Sequence, residues 1–169
     1  MRSLVILITL TLLSASCAST LNSSSTALSG RAARAEEKRL AVENIIQSGN
    51  FLIKMDRIDA GRGLTAQLAP DFNYLLLEQG MLRMKLGYVG RQYSFRGVSA
   101  INMSGKPSEY EMERNTSKGM YDIRVKVSQG GEPFDIYLSV TDRGFCYMSI
   151  VNPRLEPVRY SGKLVIPQS

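Results

Sequence analysis

The chain has 169 residues, 44% of them hydrophobic, with 21 Lys and Arg against 15 Asp and Glu, and it contains two cysteines, no histidine and no tryptophan. The lack of histidine excludes a Ser-His-Asp or Cys-His mechanism, histidine-ligated zinc and a histidine general base. The net charge of +6 lies within what a small soluble domain ordinarily carries, and the length is one domain's worth.

In chain order, Met1-Arg2 supplies a positive charge, Leu4 to Leu13 an apolar run, and Ser14-Ala15-Ser16-Cys17-Ala18 a change to small residues. That is the layout of a secretory leader. The apolar run is about ten residues, half of the roughly 20 that a membrane-crossing helix needs. Ser14-Ala15-Ser16-Cys17 resembles a bacterial lipobox, with Ser14 at the place where Leu is usual. The resemblance implies lipidation of Cys17 and a leader over 1–17; cleavage after Ala18 is the alternative. Acyl burial would then hold the chain to a membrane at about 0.8 kcal/mol per methylene. Loss of Arg2 with the leader leaves 20 basic against 15 acidic residues, or +5. No acidic cluster follows Cys17, so the periplasmic side is expected. Residues 18–30 are uncharged and rich in Ser and Thr, which predicts a flexible tether.

Arg31 to Gln47 is expected to be helical, a stalk over 31–48 that docks near Leu40 to Ile46 and stops at Ser48-Gly49. From 49 to 169 the period becomes two. Tyr121 to Val127 and Phe134 to Val140 alternate apolar with polar residues, as half-buried antiparallel strands do. They flank a turn at Gln129-Gly130-Gly131-Glu132 and are followed by a third strand from Phe145 to Val151, so a meander is predicted. Upstream strands are expected at Phe51 to Ile58, Asn73 to Glu78 and Met81 to Leu86. Val98 to Met103 is expected to pair with Glu109 to Arg114, and Lys163 to Ile166 to close the chain. The fold class is therefore mainly β: an antiparallel β-sandwich or curled barrel of about nine strands with one N-terminal helix.

Few residues suggest chemistry. Glu109, Glu111 and Glu113 share one strand face, where solvation explains them; Asp56 and Asp59 precede a Gly-rich turn that fits no calcium loop. Cys146 sits in a strand-like run without a base to activate it and reads as a small buried hydrophobe. The seven methionines from Met55 to Met148 suit either ordinary core filling or an adaptable apolar cavity. The most distinctive stretch runs from Gly87 to Gly97. It places Tyr88, Arg91, Tyr93, Phe95 and Arg96 between glycines. Such residues recognise glycans, peptides or anions; glycines also serve bulges and strand bends.

Gly87-Tyr88-Val89-Gly90-Arg91 and Tyr160-Ser161-Gly162-Lys163-Leu164 carry a family resemblance. Over about residues 36–166 the chain resembles the Bacteroidetes domain-of-unknown-function family 4251. The resemblance implies an exported, often lipid-anchored β protein and assigns no activity. The functional expectation is a non-catalytic envelope lipoprotein, without metal or cofactor. It would be held to the membrane by its anchor and would bind an envelope protein, glycan or lipid rather than nucleic acid. The alternative is a periplasmic carrier of a small apolar ligand. A hydrolase working through Glu111 and Asp56 is the least favoured.

Overall fold

The structure, a computed structural model, describes residues 22–61, 63–89 and 100–167. Cys17 and residues 90–99, which include Arg91, Tyr93, Phe95 and Arg96, lie outside the described residues, as do Val98 and Ser99 of one expected strand. The described residues from Glu36 onward form one compact unit, and those before Glu36 belong to another.

The helix α1 spans Asn22–Gln47, so helix replaces the expected tether from Asn22 onward. Glu36, Arg39 and Glu43 stand at i, i+3 and i+7, and Arg39 bridges both carboxylates at 2.8 Å. Val42 and Ile46 are fully buried at i, i+4, whereas Leu40 is exposed; the docking stripe is narrower than the sequence suggests. The stop falls where expected. Gly49 takes φ 65° and its N–H donates to the Ile46 carbonyl, an end that favours glycine. Asn50 then accepts from the Gln79 N–H at 2.7 Å, tying the helix end to a distant hairpin.

Ten antiparallel strands follow: β1 (Phe51–Asp59), β2 (Thr65–Gln67), β3 (Tyr74–Glu78), β4 (Met81–Gly87), β5 (Ala100–Gly105), β6 (Glu109–Asn115), β7 (Met120–Gln129), β8 (Glu132–Thr141), β9 (Phe145–Val151) and β10 (Val158–Leu164). Nine lie in the order β5-β4-β3-β1-β10-β9-β8-β7-β6, and β2 pairs with the end of β1. The nine form one curled half-barrel sheet, so of the two expected architectures the curled one is correct and the sandwich is not.

Alternation explains the packing. The inward members of each strand, among them Ile53, Leu75, Leu82, Ile123, Ile136, Met148 and Tyr160, build one core whose members are at most 6% exposed. Their outward neighbours are mostly polar, with Met112, Tyr137, Phe145, Tyr147 and Val151 as exposed exceptions. Met55, Met84, Met103 and Met148 are part of that core, while Met81 and Met112 are exposed. The hairpins are tight because Gln79-Gly80 and Gly130-Gly131 all take positive φ, as two-residue turns that match strand twist require.

Two strand expectations need correction. β5 and β6 do not pair: β5 pairs with β4, β6 with β7, and they are the two edges of the sheet. The short link between them passes from edge to edge, and the Ser108 N–H donates to the Lys126 carbonyl at 2.8 Å. A brief Gly-Pro link serves a hairpin or a corner of a curled sheet equally well, and only curvature separates the two. The last strand starts at Val158 rather than Lys163 and lies mid-sheet between β1 and β9. Gly162, at an inward position between Tyr160 and Leu164, interrupts its alternation.

Candidate functional site

Gly87, the first residue of the glycine-aromatic stretch, ends β4, and it and Tyr88 are held from three directions. The Gly87 N–H donates to Asn73 Oδ1 at 2.6 Å, and Asn73 Nδ2 donates to the Ala69 carbonyl at 2.8 Å. The Tyr160 hydroxyl donates to the Gly87 carbonyl at 2.9 Å. The Tyr88 hydroxyl donates to the Glu156 carbonyl at 3.1 Å. Asn73, Tyr88 and Tyr160 are all buried. Burial, with the neighbouring Tyr88 hydroxyl adding to it, pushes the Tyr160 phenol well above its ordinary range, so it stays a neutral donor.

The structure places Tyr88, one of the candidate binding residues, at the buried root of the stretch. It is 4% exposed because its ring completes the core under β4 and β10. Composition could not show which way that ring points. Asn73 and Tyr160 are the positioning residues that the functional reading of the sequence left out. The signal for Asn73 was a polar residue entering a Leu-rich strand. For Tyr160 it was the Tyr-x-Gly pattern itself.

Gly162 explains the rest of that pattern. A Cβ there would lie 2.1 Å from the Lys54 carbonyl oxygen and 2.7 Å from Met55 Cα. The register of β1 against β10 shifts between Met55 and Arg57, a bulge that brings the two backbones close. The two sequence motifs are therefore one structural unit: Gly162 lets β10 approach β1, and Tyr160 on the same strand holds Gly87.

A second candidate is a groove of about 530 Å³ on the outward face of β6, β7 and β8. Its polar lining is Glu111, Glu113, Asp122, Arg124, Tyr137 and Ser139. Register places Glu111 opposite Arg124 and Glu113 opposite Asp122. Ser139 Oγ donates to Asp122 Oδ1 at 2.6 Å, and the Arg124 guanidinium lies 5.5 Å from the Tyr137 ring centre. Glu109 is drawn to Lys126, whose hydrogen bond lowers its pKa. This is a solvated, mixed-charge surface. Asp56 on β1 lies five strand spacings from Glu111 on β6, so the two carboxylates considered for hydrolysis are not brought together. Cys146 is fully buried and free, and burial pushes its thiol up to about 12, which keeps it protonated and unreactive.

A family model described as "Domain of unknown function (DUF4251)" matches residues 33–164. The chain belongs to the DUF4251 family. The matched span contains both motifs joined by the Tyr160–Gly87 hydrogen bond. A crystal structure of a DUF4251 family protein from Bacteroides eggerthii is similar in fold. Its TM-score is 0.61 at 16% sequence identity, covering 76% of this chain and 87% of that one. No curated protein matches the chain.

Proposed function

We propose that this DUF4251 protein is a non-catalytic cell-envelope lipoprotein, anchored through Cys17 on the periplasmic side, that binds an envelope partner through the segment carrying Arg91, Tyr93, Phe95 and Arg96. The observation that supports this reading is the clamp on the segment's root. Binding residues commonly lie next to a rigid scaffold, and here Asn73, Tyr160 and Tyr88 fix the chain at Gly87 and Tyr88, a few residues before Arg91. Two arginines and two aromatics within six residues supply bidentate donors and flat apolar surface. The inward sheet face is filled by side chains at most 6% exposed, which favours a surface site over a carrier cavity.

The test is co-isolation of cross-linked partners with the exported full chain. Arg91→Ala with Arg96→Ala should abolish recovery of a partner while thermal unfolding stays unchanged. Undiminished recovery removes the segment from the account. Metabolic labelling with an alkyne fatty acid should mark the native chain and not Cys17→Ala; an unlabelled native chain means cleavage after Ala18.

A further inference from the structure

The two ends of the outward sheet face are built differently. Toward β6 to β8, cations meet carboxylates: Lys126 pairs with Glu109, and Arg124 stands 3.9 Å from Asp135. Across β4, β1 and β10 the pattern reverses. Lys85, Tyr74, Lys54 and Lys163 form one cross-strand row, in which Lys54 faces Lys163 directly. Like charges directly opposite destabilise a sheet. Asp71 relieves Lys54 at 2.7 Å. Lys85 and Lys163, with Arg57, Arg83 and Arg159 in adjoining rows, are exposed and have no ion-pair partner among the described residues. Asp59, opposite Arg159 in register, accepts instead from the Gly61 N–H. Phe72, Phe145 and Tyr147 stand among these cations at 65%, 44% and 56% exposure.

We propose that this face docks on an anionic lipid bilayer. The unpaired cations spread from β4 to β10, three strand spacings or about 14 Å. That is an open array suited to a charged plane, not a cleft that encloses one phosphate. Exposed rings beside cations suit the headgroup level of a membrane. Asp71 neutralises Lys54 but leaves Lys163 opposite it without an ion-pair partner among the described residues, a charge that a plane of lipid phosphates would neutralise. This role uses neither Cys17 nor the 91–96 segment.

The test is partitioning of the full chain between buffer and vesicles, either phosphatidylcholine alone or phosphatidylcholine with 30% phosphatidylglycerol. Any acyl anchor contributes equally to both, so the ratio of the two partition coefficients isolates the face. The native chain should favour the anionic vesicles. Each basic residue near such a surface contributes about fivefold, so Lys85→Gln with Lys163→Gln should lower the ratio about 30-fold. Arg57→Gln with Arg159→Gln should act alike. Lys106→Gln with Lys118→Gln, exposed elsewhere and equal in net charge, should leave the ratio unchanged. The Lys163 change relieves a like-charge pair, so unfolding temperature should not fall. Equal partitioning into both vesicles overturns the proposal. So does a loss as large in the control pair, or full retention in both test pairs. Binding to soluble dextran sulfate without preference for anionic vesicles assigns the face to a polyanion instead, and also overturns it.

Discussion

Substituting Gly162 by Ala tests how closely β1 and β10 approach. Gly162 does not take a left-handed φ, so the cost is steric and not conformational. The added Cβ would stand 2.1 Å from the Lys54 carbonyl oxygen and 2.9 Å from its carbon. A carbon and an oxygen meet comfortably at about 3.3 Å, so two mid-sheet strands must part by about 1 Å. That stretches a 2.9 Å ladder hydrogen bond beyond its useful range. Losing two such bonds costs about 2 kcal/mol, and overpacking adds about 1–3 kcal/mol. The expected loss of about 3–5 kcal/mol is a large part of the 5–15 kcal/mol that holds a typical domain together. Urea unfolding followed by circular dichroism measures it. Gly130→Ala is the control: its φ is 60°, nothing lies within 4 Å, and about 1–2 kcal/mol of backbone strain is expected. If Gly162→Ala unfolds within 1 kcal/mol of the native chain, the account of the Tyr-x-Gly motif is wrong.

Further outcomes follow from single side chains. Tyr160→Phe removes the donor to the Gly87 carbonyl and should destabilise by about 1–2 kcal/mol; partner recovery should fall with it, since the segment's root is released. Cys146 has its folded pKa raised to about 12 from 9.0, so its contribution is complete below pH 9 and declines as pH rises toward 12. Between pH 9 and pH 10 the native chain should lose about 1 kcal/mol more stability than Cys146→Ala, the buried tyrosines contributing alike to both, as read by chemical denaturation. Gln79 takes φ 51° at the first position of the β3–β4 turn, where Asn is favoured. Gln79→Asn should raise stability by about 0.5 kcal/mol, read as a shift in urea midpoint.

Much of the fold was legible because alternation marks a half-buried strand directly. Tyr121 to Val127 and Phe134 to Val140 show it residue by residue, and Gly130-Gly131 fixes their turn. β2 escaped because three residues from Thr65 to Gln67 are too few to show a period. The start of β10 at Val158 escaped because a glycine required by a close backbone approach sits at one of its inward positions. Which strands pair was legible only for neighbours in sequence. The place of β10 beside β1 depends on curvature, and the basic face assembled from β4, β1 and β10 depends on it in turn. For the candidate site, the sequence marked Gly87 and Tyr88 correctly as unusual. It could not separate an inward ring from an outward one, so the burial of Tyr88 beside Asn73 and Tyr160 was not legible.

The central claim is that the segment after Gly87 and Tyr88 is the partner-binding element. A photo-cross-linking residue placed at Phe95 in the exported chain, with a matched probe at exposed Met112 on β6, tests it most directly. The account predicts a discrete adduct from position 95 that disappears when Arg91 and Arg96 are replaced by Ala, and none from position 112. An adduct from position 112 with nothing at 95 would contradict it and move recognition to the sheet edge.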